Sequence, residues 1–259
     1  MTSSLDRVKA FLQETDERVC DERRPTRHGV ALLTPSLPLV WQLNAIRVDD
    51  PDASAAELVA EADEFLATVA HRKLVVHDEE VGARLAPALT AQGWNAFRLL
   101  VMVQRRPPDR PSEAGLGGEV SRKRGAAVLA AFRREQPFGW QDEAVRQLAG
   151  MDERFARAWS TRDFAAPADE LGCSCRLYSD GTIAQVDEVG TVEARRGRGY
   201  ARATVLAAAD AATAEGCDPV FLLTDASDWP QHLYRKLGFD AIGAVYEFLK
   251  LPIETQRRS

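Results

Sequence analysis

Up to residue 103, the chain alternates between apolar positions at helical spacing and short apolar runs. The helical spacing predicts helices over 5–20 and 79–92, and a third helix that begins with the capping box Ser54-Ala55-Ala56-Glu57. Short runs rich in β-branched and aromatic residues predict strands over 29–34, 39–48, 73–76 and 96–103. This mixture of helices and strands is typical of a small α/β domain.

A similar alternation returns after residue 119. It predicts helices over 122–134, 141–159 and 201–215, and strands over 183–192, 220–224 and 242–249. A further short helix ends at Gly238, with Asp228 placed as its N-cap and Pro230 in its first turn. The order of the elements in this half repeats the order in the first half.

The segment between the two halves has a different composition. Residues 104–118 contain three prolines and three glycines, with little that could enter a core. Such a segment is typical of a domain boundary. We therefore expect one domain over 1–104, a linker over 105–118 and a second domain over 119–259.

Composition narrows the class of protein. Of the 259 residues, 45% are hydrophobic and 28% are charged, which is typical of a globular protein with sizeable cores. No apolar run approaches the roughly 18 residues of a membrane span. The net charge of −6 argues against nucleic acid as the main partner. We expect neither a membrane nor a nucleic-acid partner.

The N-terminus and the cysteines indicate a compartment. The first residues lack the basic and apolar regions of a signal peptide. The four cysteines show no metal-ligand spacing, and Cys173 and Cys175 are placed on one face of a strand, as packed thiols. These features predict a reduced, cytoplasmic protein without a metal site.

The loop from Arg196 to Ala201 carries the clearest chemical signal. It reads Arg-Gly-Arg-Gly-Tyr-Ala and lies between a predicted strand and a predicted helix. Gly197 and Gly199 allow a tight turn, and the helix start adds unsatisfied N–H groups and the positive end of its dipole. The sequence therefore predicts a site for an anion such as a diphosphate. The loop does not match a dinucleotide-binding fingerprint, because Arg202 stands where that fingerprint needs its third glycine.

A second segment follows at a fixed distance. Leu233-Tyr234-Arg235-Lys236-Leu237-Gly238-Phe239 places Tyr234 35 positions after Gly199. Together, the two segments resemble the GNAT acetyltransferase superfamily. Its signature Arg/Gln-x-x-Gly-x-Gly/Ala is matched by Arg196, Gly199 and Ala201, and its Leu-Tyr-x-x-x-Gly-Phe segment by Leu233, Tyr234, Gly238 and Phe239.

The resemblance covers residues 119–252 and implies an acetyl-coenzyme A-dependent N-acetyltransferase that acts on a primary amine of a small molecule or peptide. It implies that the loop amides hold the coenzyme, that Tyr234 protonates the departing thiolate, and that backbone N–H groups in one strand polarise the acyl carbonyl. Ser227 stands where the family usually has an asparagine. The cofactor-binding residues expected are Val189, Gly190, Thr191, Arg196, Gly197, Arg198, Gly199, Tyr200, Ala201, Arg202 and Ser227.

The base and the acceptor pocket are less tightly specified. Glu188 and Asp187 are the only acids in an otherwise apolar strand, where a carboxylate is costly unless it is paired or used. Glu188 is our first choice for the base and Asp187 the alternate, and an ion pair or a hydrogen bond is the competing explanation. The resemblance places the acceptor near Phe138 and Trp140, between the first two helices of this half.

The first half resembles a degenerate copy of the second. Leu89, Gly93 and Trp94 echo Tyr234, Gly238 and Phe239, and the loop over 48–52 falls where a phosphate loop would lie. Three carboxylates and a proline make this loop unsuitable for a diphosphate. We expect an α/β fold with two GNAT-like acyl-CoA N-acyltransferase domains in tandem, the N-terminal one degenerate. An unrelated small α/β domain is the alternative for the first half, and a non-catalytic acyl-coenzyme A sensor or scaffold for the whole chain. The oligomeric state stays open between monomer and homodimer.

Overall fold

The computed structural model describes residues 2–139, 141–168 and 170–252, and these residues form two compact units. The larger unit contains Val101–Thr224 and Asp228–Ile242 together with the chain up to Val8. The smaller unit contains Lys9–Leu100, Asp225–Ser227 and the chain from Gly243 onward. The predicted domains, 1–104 and 119–259, stay a prediction, and the compact units differ from them at both ends of the chain and over Asp225–Ser227.

The smaller unit contains most of the first elements of the chain, although the first residues of the first helix, up to Val8, and the end of the fifth strand, from Val101, belong to the larger unit. These first elements are α1 (Ser4–Val19), β1 (Glu22–Pro25), β2 (Gly29–Leu33), a 3-10 turn (Trp41–Leu43), β3 (Ala45–Val48), α2 (Ala55–Phe65), β4 (Arg72–Val76), α3 (Glu79–Ala91) and β5 (Asn95–Gln104). β1, β2 and β3 pair antiparallel in that order, and β3 pairs parallel with β4. On the other side of β4, the end of the last strand of the chain pairs antiparallel with it, from Tyr246 opposite Val76 to Lys250 opposite Arg72.

The core of the smaller unit lies where α2 and α3 pack on this sheet. Leu58, Ala62 and Leu66 form the buried stripe of α2, as their helical spacing predicted. α3 contributes Leu85 and Leu89, which are also buried. Burial of each leucine side chain contributes about 1.5–3 kcal/mol to the stability of the folded state.

The larger unit contains most of the remaining elements. These are β6 (Gly118–Val120), α4 (Arg122–Arg134), α5 (Asp142–Ala158), β7 (Ser160–Ala166), β8 (Cys173–Ser179), β9 (Ala184–Thr191), α6 (Tyr200–Ala214), β10 (Val220–Asp225), α7 (Pro230–Lys236) and β11 (Phe239–Lys250). The part of β11 from Gly243 onward belongs to the smaller unit. β6, β7, β8 and β9 pair antiparallel in that order, and β9 pairs parallel with β10. This mixture of parallel and antiparallel pairs confirms the predicted α/β class.

The linker is docked within the larger unit. The N–H groups of Arg105 and Arg106 donate to the carbonyl of Gly238 at 3.0 and 3.2 Å. The N–H of Asp109 donates to the carbonyl of Lys236. Gly238 has a φ of +91°, and a Cβ there would lie 1.9 Å from the carbonyl oxygen of Arg106. The chain can pass this point only beside a glycine.

Two local predictions are wrong. The strand expected over 39–48 begins only at Ala45, because the side chain of Asn44 donates to the carbonyls of Leu37 and Val40 and holds a turn there. The N-cap of α7 is Trp229, one residue after Asp228, whose carboxylate accepts from the N–H of Trp229. β1, β6 and β7 were not predicted. No helix among the described residues is long and apolar enough to cross a bilayer.

Candidate active site

The parallel strands β9 and β10 pair only at their beginnings. The paired positions are Val220 with Ala184 and Phe221 with Gln185. β9 continues to Thr191 and β10 to Asp225 without further paired positions between them. The two strands therefore separate toward their carboxyl ends, which opens a cleft along β9 in which a ligand can reach strand backbone.

β9 carries a bulge at the mouth of this cleft. Asp187 pairs with Arg176 of β8 and Gly190 with Ser174, so two residues of β9 oppose one of β8. Glu188, the first of the two, has a φ of +54°, the only positive φ of a non-glycine residue in the described chain. A bulge re-aims the local backbone and side chains. Val189, Gly190 and Thr191 follow it directly.

The loop between β9 and α6 has the conformation expected of an anion site. Gly197 and Gly199 have φ values of +76° and +79°, and a Cβ built at either would meet nothing within 4 Å. Gly199 is the N-cap of α6, so no side chain closes the helix end. The first N–H groups of α6 have no intrahelical partner, and the helix dipole is positive here. This open, two-glycine helix start fits a diphosphate.

The arginines of the loop differ in what they contact. The guanidinium of Arg202 is buried and lies 2.7 Å from the carboxylate of Asp109, while it donates to the carbonyl of Arg110 at 2.9 Å. Arg202 therefore fixes the linker, and only its backbone N–H remains a candidate phosphate donor. Arg196 and Arg198 are exposed at the loop surface, and Tyr200 and Ala201 are half-buried.

Tyr234 lies on α7 and is 7% exposed. Its ring meets Phe239 edge-on, with 6.4 Å between the ring centroids. Burial raises the pKa of the Tyr234 phenol well above its ordinary value, and the nearby Cys173, Cys175 and Asp187 act in the same direction. The phenol is therefore protonated at neutral pH and holds a proton that it can donate.

Glu188 belongs to a buried network of charged side chains that was not predicted. Arg133 of α4 donates to the Glu188 carboxylate at 3.0 Å and binds Asp152 of α5 through two hydrogen bonds of 2.8 Å. Arg176 of β8 lies 2.8 Å from the same Asp152 and 2.9 Å from Asp163 of β7. Three carboxylates thus share two guanidinium groups among five elements of the larger unit.

The environment of Glu188 makes its carboxyl a weak acid. Burial raises its pKa from 4.5 to about 7, although Arg133 acts in the opposite direction. The side chain keeps 23% exposure, so it is not sealed from solvent. A carboxyl that titrates near neutral pH can accept and release a proton under ordinary conditions.

The contacts of the other predicted site residues, Asp187, Ser227 and Phe138, do not by themselves assign them a role. One carboxylate oxygen of Asp187 accepts from the N–H of Glu188 at 2.7 Å, and the other accepts from Gln185. The hydroxyl of Ser227, which is exposed, donates to Asp225 at 2.7 Å. Phe138 is half-buried in the connection between α4 and α5, and Trp140 lies outside the described residues.

The corresponding loop of the smaller unit is closed. α2 begins with a capping box in which the side chains of Ser54 and Glu57 satisfy two N–H groups. The carboxylate of Asp50 accepts from the N–H of Asp52, and the guanidinium of Arg84 donates to the carbonyl of Ala53 at 3.1 Å. Side chains therefore occupy the helix end that stands open in α6.

Some features of the C-terminal motif recur in the smaller unit. α3 is followed by Gly93 with a φ of +81° and by the buried Trp94, as α7 is followed by Gly238 with a φ of +91° and the buried Phe239. Leu89, at the position that echoes Tyr234, is fully buried and carries no proton to donate.

The chain is similar to known proteins in sequence and in fold. Residues 126–239 match the model of the acetyltransferase (GNAT) family. No curated protein gives a significant match.

Among solved structures, a GCN5-related N-acetyltransferase from Kribbella flavida is 20% identical, with a TM-score of 0.59 over 94% of this chain and 95% of its own. A protein of unknown function from Staphylococcus epidermidis is 14% identical, with a TM-score of 0.65 over 89% and 93%. A tandem GNAT protein from the clavulanic acid biosynthesis pathway is also 14% identical, with a TM-score of 0.52 over 86% and 79%. At these low sequence identities, the similarity to the solved structures shows a shared fold only. The family match rests on the amino-acid sequence of residues 126–239. The segment from 126 to 239, which matches the acetyltransferase (GNAT) family model, contains both the open loop and the bulged strand.

Proposed function

We propose that the protein is an acetyl-coenzyme A-dependent N-acyltransferase that acetylates a primary amine of a small molecule or peptide. The observation that carries the proposal is the open, two-glycine start of α6 beside the cleft between β9 and β10. It offers unpaired N–H groups for a diphosphate and a strand edge for the rest of an extended ligand. The family match over residues 126–239 supports the same cosubstrate.

The roles of the residues follow from what acyl transfer to an amine requires. Acetyl-coenzyme A supplies the acetyl group as a thioester. The backbone N–H groups of Gly197 to Arg202 hold its diphosphate, and those of Val189 to Thr191, after the bulge, stabilise negative charge on the acyl oxygen. One such donor is worth about 3–4 kcal/mol in the transition state.

Two proton transfers accompany the exchange of bonds. The amine nitrogen forms the new N–C bond as the C–S bond of the thioester breaks. Glu188 accepts the proton of the ammonium, directly or through a water, and Tyr234 donates its proton to the departing sulfur. The raised pKa of Glu188 suits the role of base near neutral pH. The raised pKa of Tyr234 keeps its phenol protonated until negative charge develops on the sulfur. Asp187 is the alternate base, although both of its oxygens accept hydrogen bonds within β9.

The test is thiol release by the full chain. Purified protein is mixed with acetyl-coenzyme A and a panel of amines that includes alkylamines, amino sugars and peptides with free N-termini, and the released thiol is measured with Ellman's reagent. At least one amine should give turnover that the double variant Gly197→Ala/Gly199→Ala lacks. Turnover by that variant equal to wild type would refute the assigned coenzyme loop.

A non-catalytic acyl-coenzyme A sensor or scaffold is the second candidate. It is favoured by the hydrogen bond from Arg133 to Glu188 at 3.0 Å, because a carboxylate held in a structural ion pair is a poor base. A sensor would bind acetyl-coenzyme A saturably and release no thiol with any amine of the panel.

We further propose that the smaller unit is a degenerate GNAT-like domain in a tandem arrangement. Its order of elements, its glycine and aromatic pair after α3, and its closed α2 terminus support this. The tandem GNAT protein with a TM-score of 0.52 is consistent with such a layout.

A further inference from the structure

A cleft in the smaller unit lies between the turn joining β1 to β2 and one face of α2. Its volume is about 380 Å³. Three carboxylates of α2, those of Glu57, Glu61 and Glu64, line it together with His28. Ala60 and Phe65 supply apolar wall. None of these residues belongs to the proposed catalytic set.

His28 presents a nitrogen that lacks a partner. The residue is 6% exposed, and its Nδ1 lies 2.8 Å from a carboxylate oxygen of Asp50. Its Nε2 is buried and makes no hydrogen bond within the described residues. When Nδ1 carries the proton shared with Asp50, the neutral ring presents Nε2 as an acceptor.

Glu61 presents a carboxylate that lacks partners as well. The residue is 9% exposed, and neither of its oxygens has a hydrogen bond among the described residues. A buried carboxylate is costly unless a donor or a cation meets it. Its Oε1 lies 4.0 Å from Nε2 of His28, and Oε1 of Glu57 lies 3.8 Å from the same nitrogen. Both distances are too long for a hydrogen bond.

His28 Nε2 and the Glu61 carboxylate therefore converge without a donor between them. Glu57 Oε1, which forms an ion pair with the exposed Arg27 at 3.5 Å, lies beside them. A primary ammonium has three N–H donors, and it bridges acceptors that lie roughly 4–5 Å apart when each is about 2.8 Å from the nitrogen. The acceptor distances of 3.8 and 4.0 Å come close to that spacing. No group of described residues has the arrangement of a metal site.

The remaining wall fits an organic cation. Glu57, Glu61 and Glu64 carry three negative charges, and among the lining side chains Arg27, which is 76% exposed, carries the opposing one. Ala60 and Phe65 can cover an alkyl chain, which a bare metal ion would not need. We propose that this cleft binds an alkylammonium group, whose nitrogen is held by His28 Nε2 and the carboxylates of Glu57 and Glu61. This goes beyond the proposed acyl transfer, since it is a separate ligand site.

The experiment is calorimetric titration of the full chain with n-butylammonium chloride in a buffer free of amines. Binding should saturate at one site per chain and weaken as salt is added, because the attraction is electrostatic. Glu61→Gln keeps the shape but removes the charge, and it should weaken binding at least about tenfold. The matched control is Glu80→Gln, an exposed acid at the start of α3, which should leave the affinity unchanged.

Two further measurements keep the test decisive. Ala60→Trp fills the cleft from an exposed position of α2, so it should abolish binding even if Glu61→Gln fails to fold. In a spectrum of ¹⁵N-labelled histidine, one ring should show an unprotonated Nε2 whose resonance shifts on titration. Absence of saturable heat, unchanged affinity in Ala60→Trp, or binding of Mn²⁺ or Zn²⁺ in place of n-butylammonium would overturn the proposal.

Discussion

Replacement of Glu188 by Gln should change the way in which stability depends on pH. The pKa of Glu188 is raised from 4.5 to about 7 in the folded chain, mainly by burial. The folded state therefore retains this proton in a pH range where the unfolded state has lost it. Stability of the wild type should fall as pH rises from about 4.5 to about 7, relative to a variant that cannot ionise there. A shift of this size corresponds to about 3 kcal/mol, at roughly 1.4 kcal/mol per unit.

The assay is urea unfolding of wild type and Glu188→Gln at several values of pH between 4.5 and 8. The difference between their free energies of unfolding should move in favour of the variant by about 3 kcal/mol across this range. The pKa of Asp16 is also raised to about 7, but Asp16 is present in both proteins and its contribution cancels. The control Glu153→Gln, at an acid that is 68% exposed, should show a flat difference. A flat difference for Glu188→Gln as well would refute the account of its environment.

Two further predictions concern the proposed cosubstrate and catalysis. Gly197→Ala/Gly199→Ala should weaken acetyl-coenzyme A binding at least about tenfold, because alanine disfavours the positive φ at both positions. Gly181→Ala, at a φ of +91° in the turn after β8, carries the same strain and should leave binding unchanged in the same calorimetric titration. Tyr234→Phe should lower kcat by about 10²–10⁴-fold with little change in coenzyme affinity, because the ring is kept and only the proton is lost. A kcat equal to wild type at every pH would reduce Tyr234 to a packing residue.

Local signals in the sequence identified much of the fold and the loop. α2 was predicted from its capping box and its apolar stripe, and both are present. The tight turn of the loop was predicted because glycine lacks a Cβ and adopts a positive φ readily. Gly197 and Gly199 both have a positive φ in the structure. Cys173 and Cys175 were predicted as packed thiols, and both are buried and free.

Features that depend on distant partners could not be predicted in this way. The network of Arg133 and Glu188 joins residues 55 positions apart, and no pattern within either element indicates the other. The bulge at Glu188 arises from the register between β8 and β9, which a single strand does not reveal. Arg202 follows the loop in sequence, yet its guanidinium contacts the linker at Asp109.

The difference between the two loops is the central structural contrast. The α6 terminus is open and has no side-chain cap, whereas the α2 terminus is closed by Ser54 and Glu57. The closed loop also carries the carboxylates of Asp49, Asp50 and Asp52, of which Asp49 is paired with Arg47 at 3.0 Å. At an effective dielectric constant of about 20, a phosphate charge at 4 Å from one carboxylate costs roughly 4 kcal/mol. Only the α6 terminus should therefore accept a diphosphate.

Calorimetric titration of the full chain with acetyl-coenzyme A tests this claim most directly, because it measures affinity and stoichiometry together. We predict saturable binding at one site per chain, lost in Gly197→Ala/Gly199→Ala and retained in Gly181→Ala. Absence of saturable heat would contradict the proposed cosubstrate, and two sites per chain would contradict the degenerate state of the smaller unit.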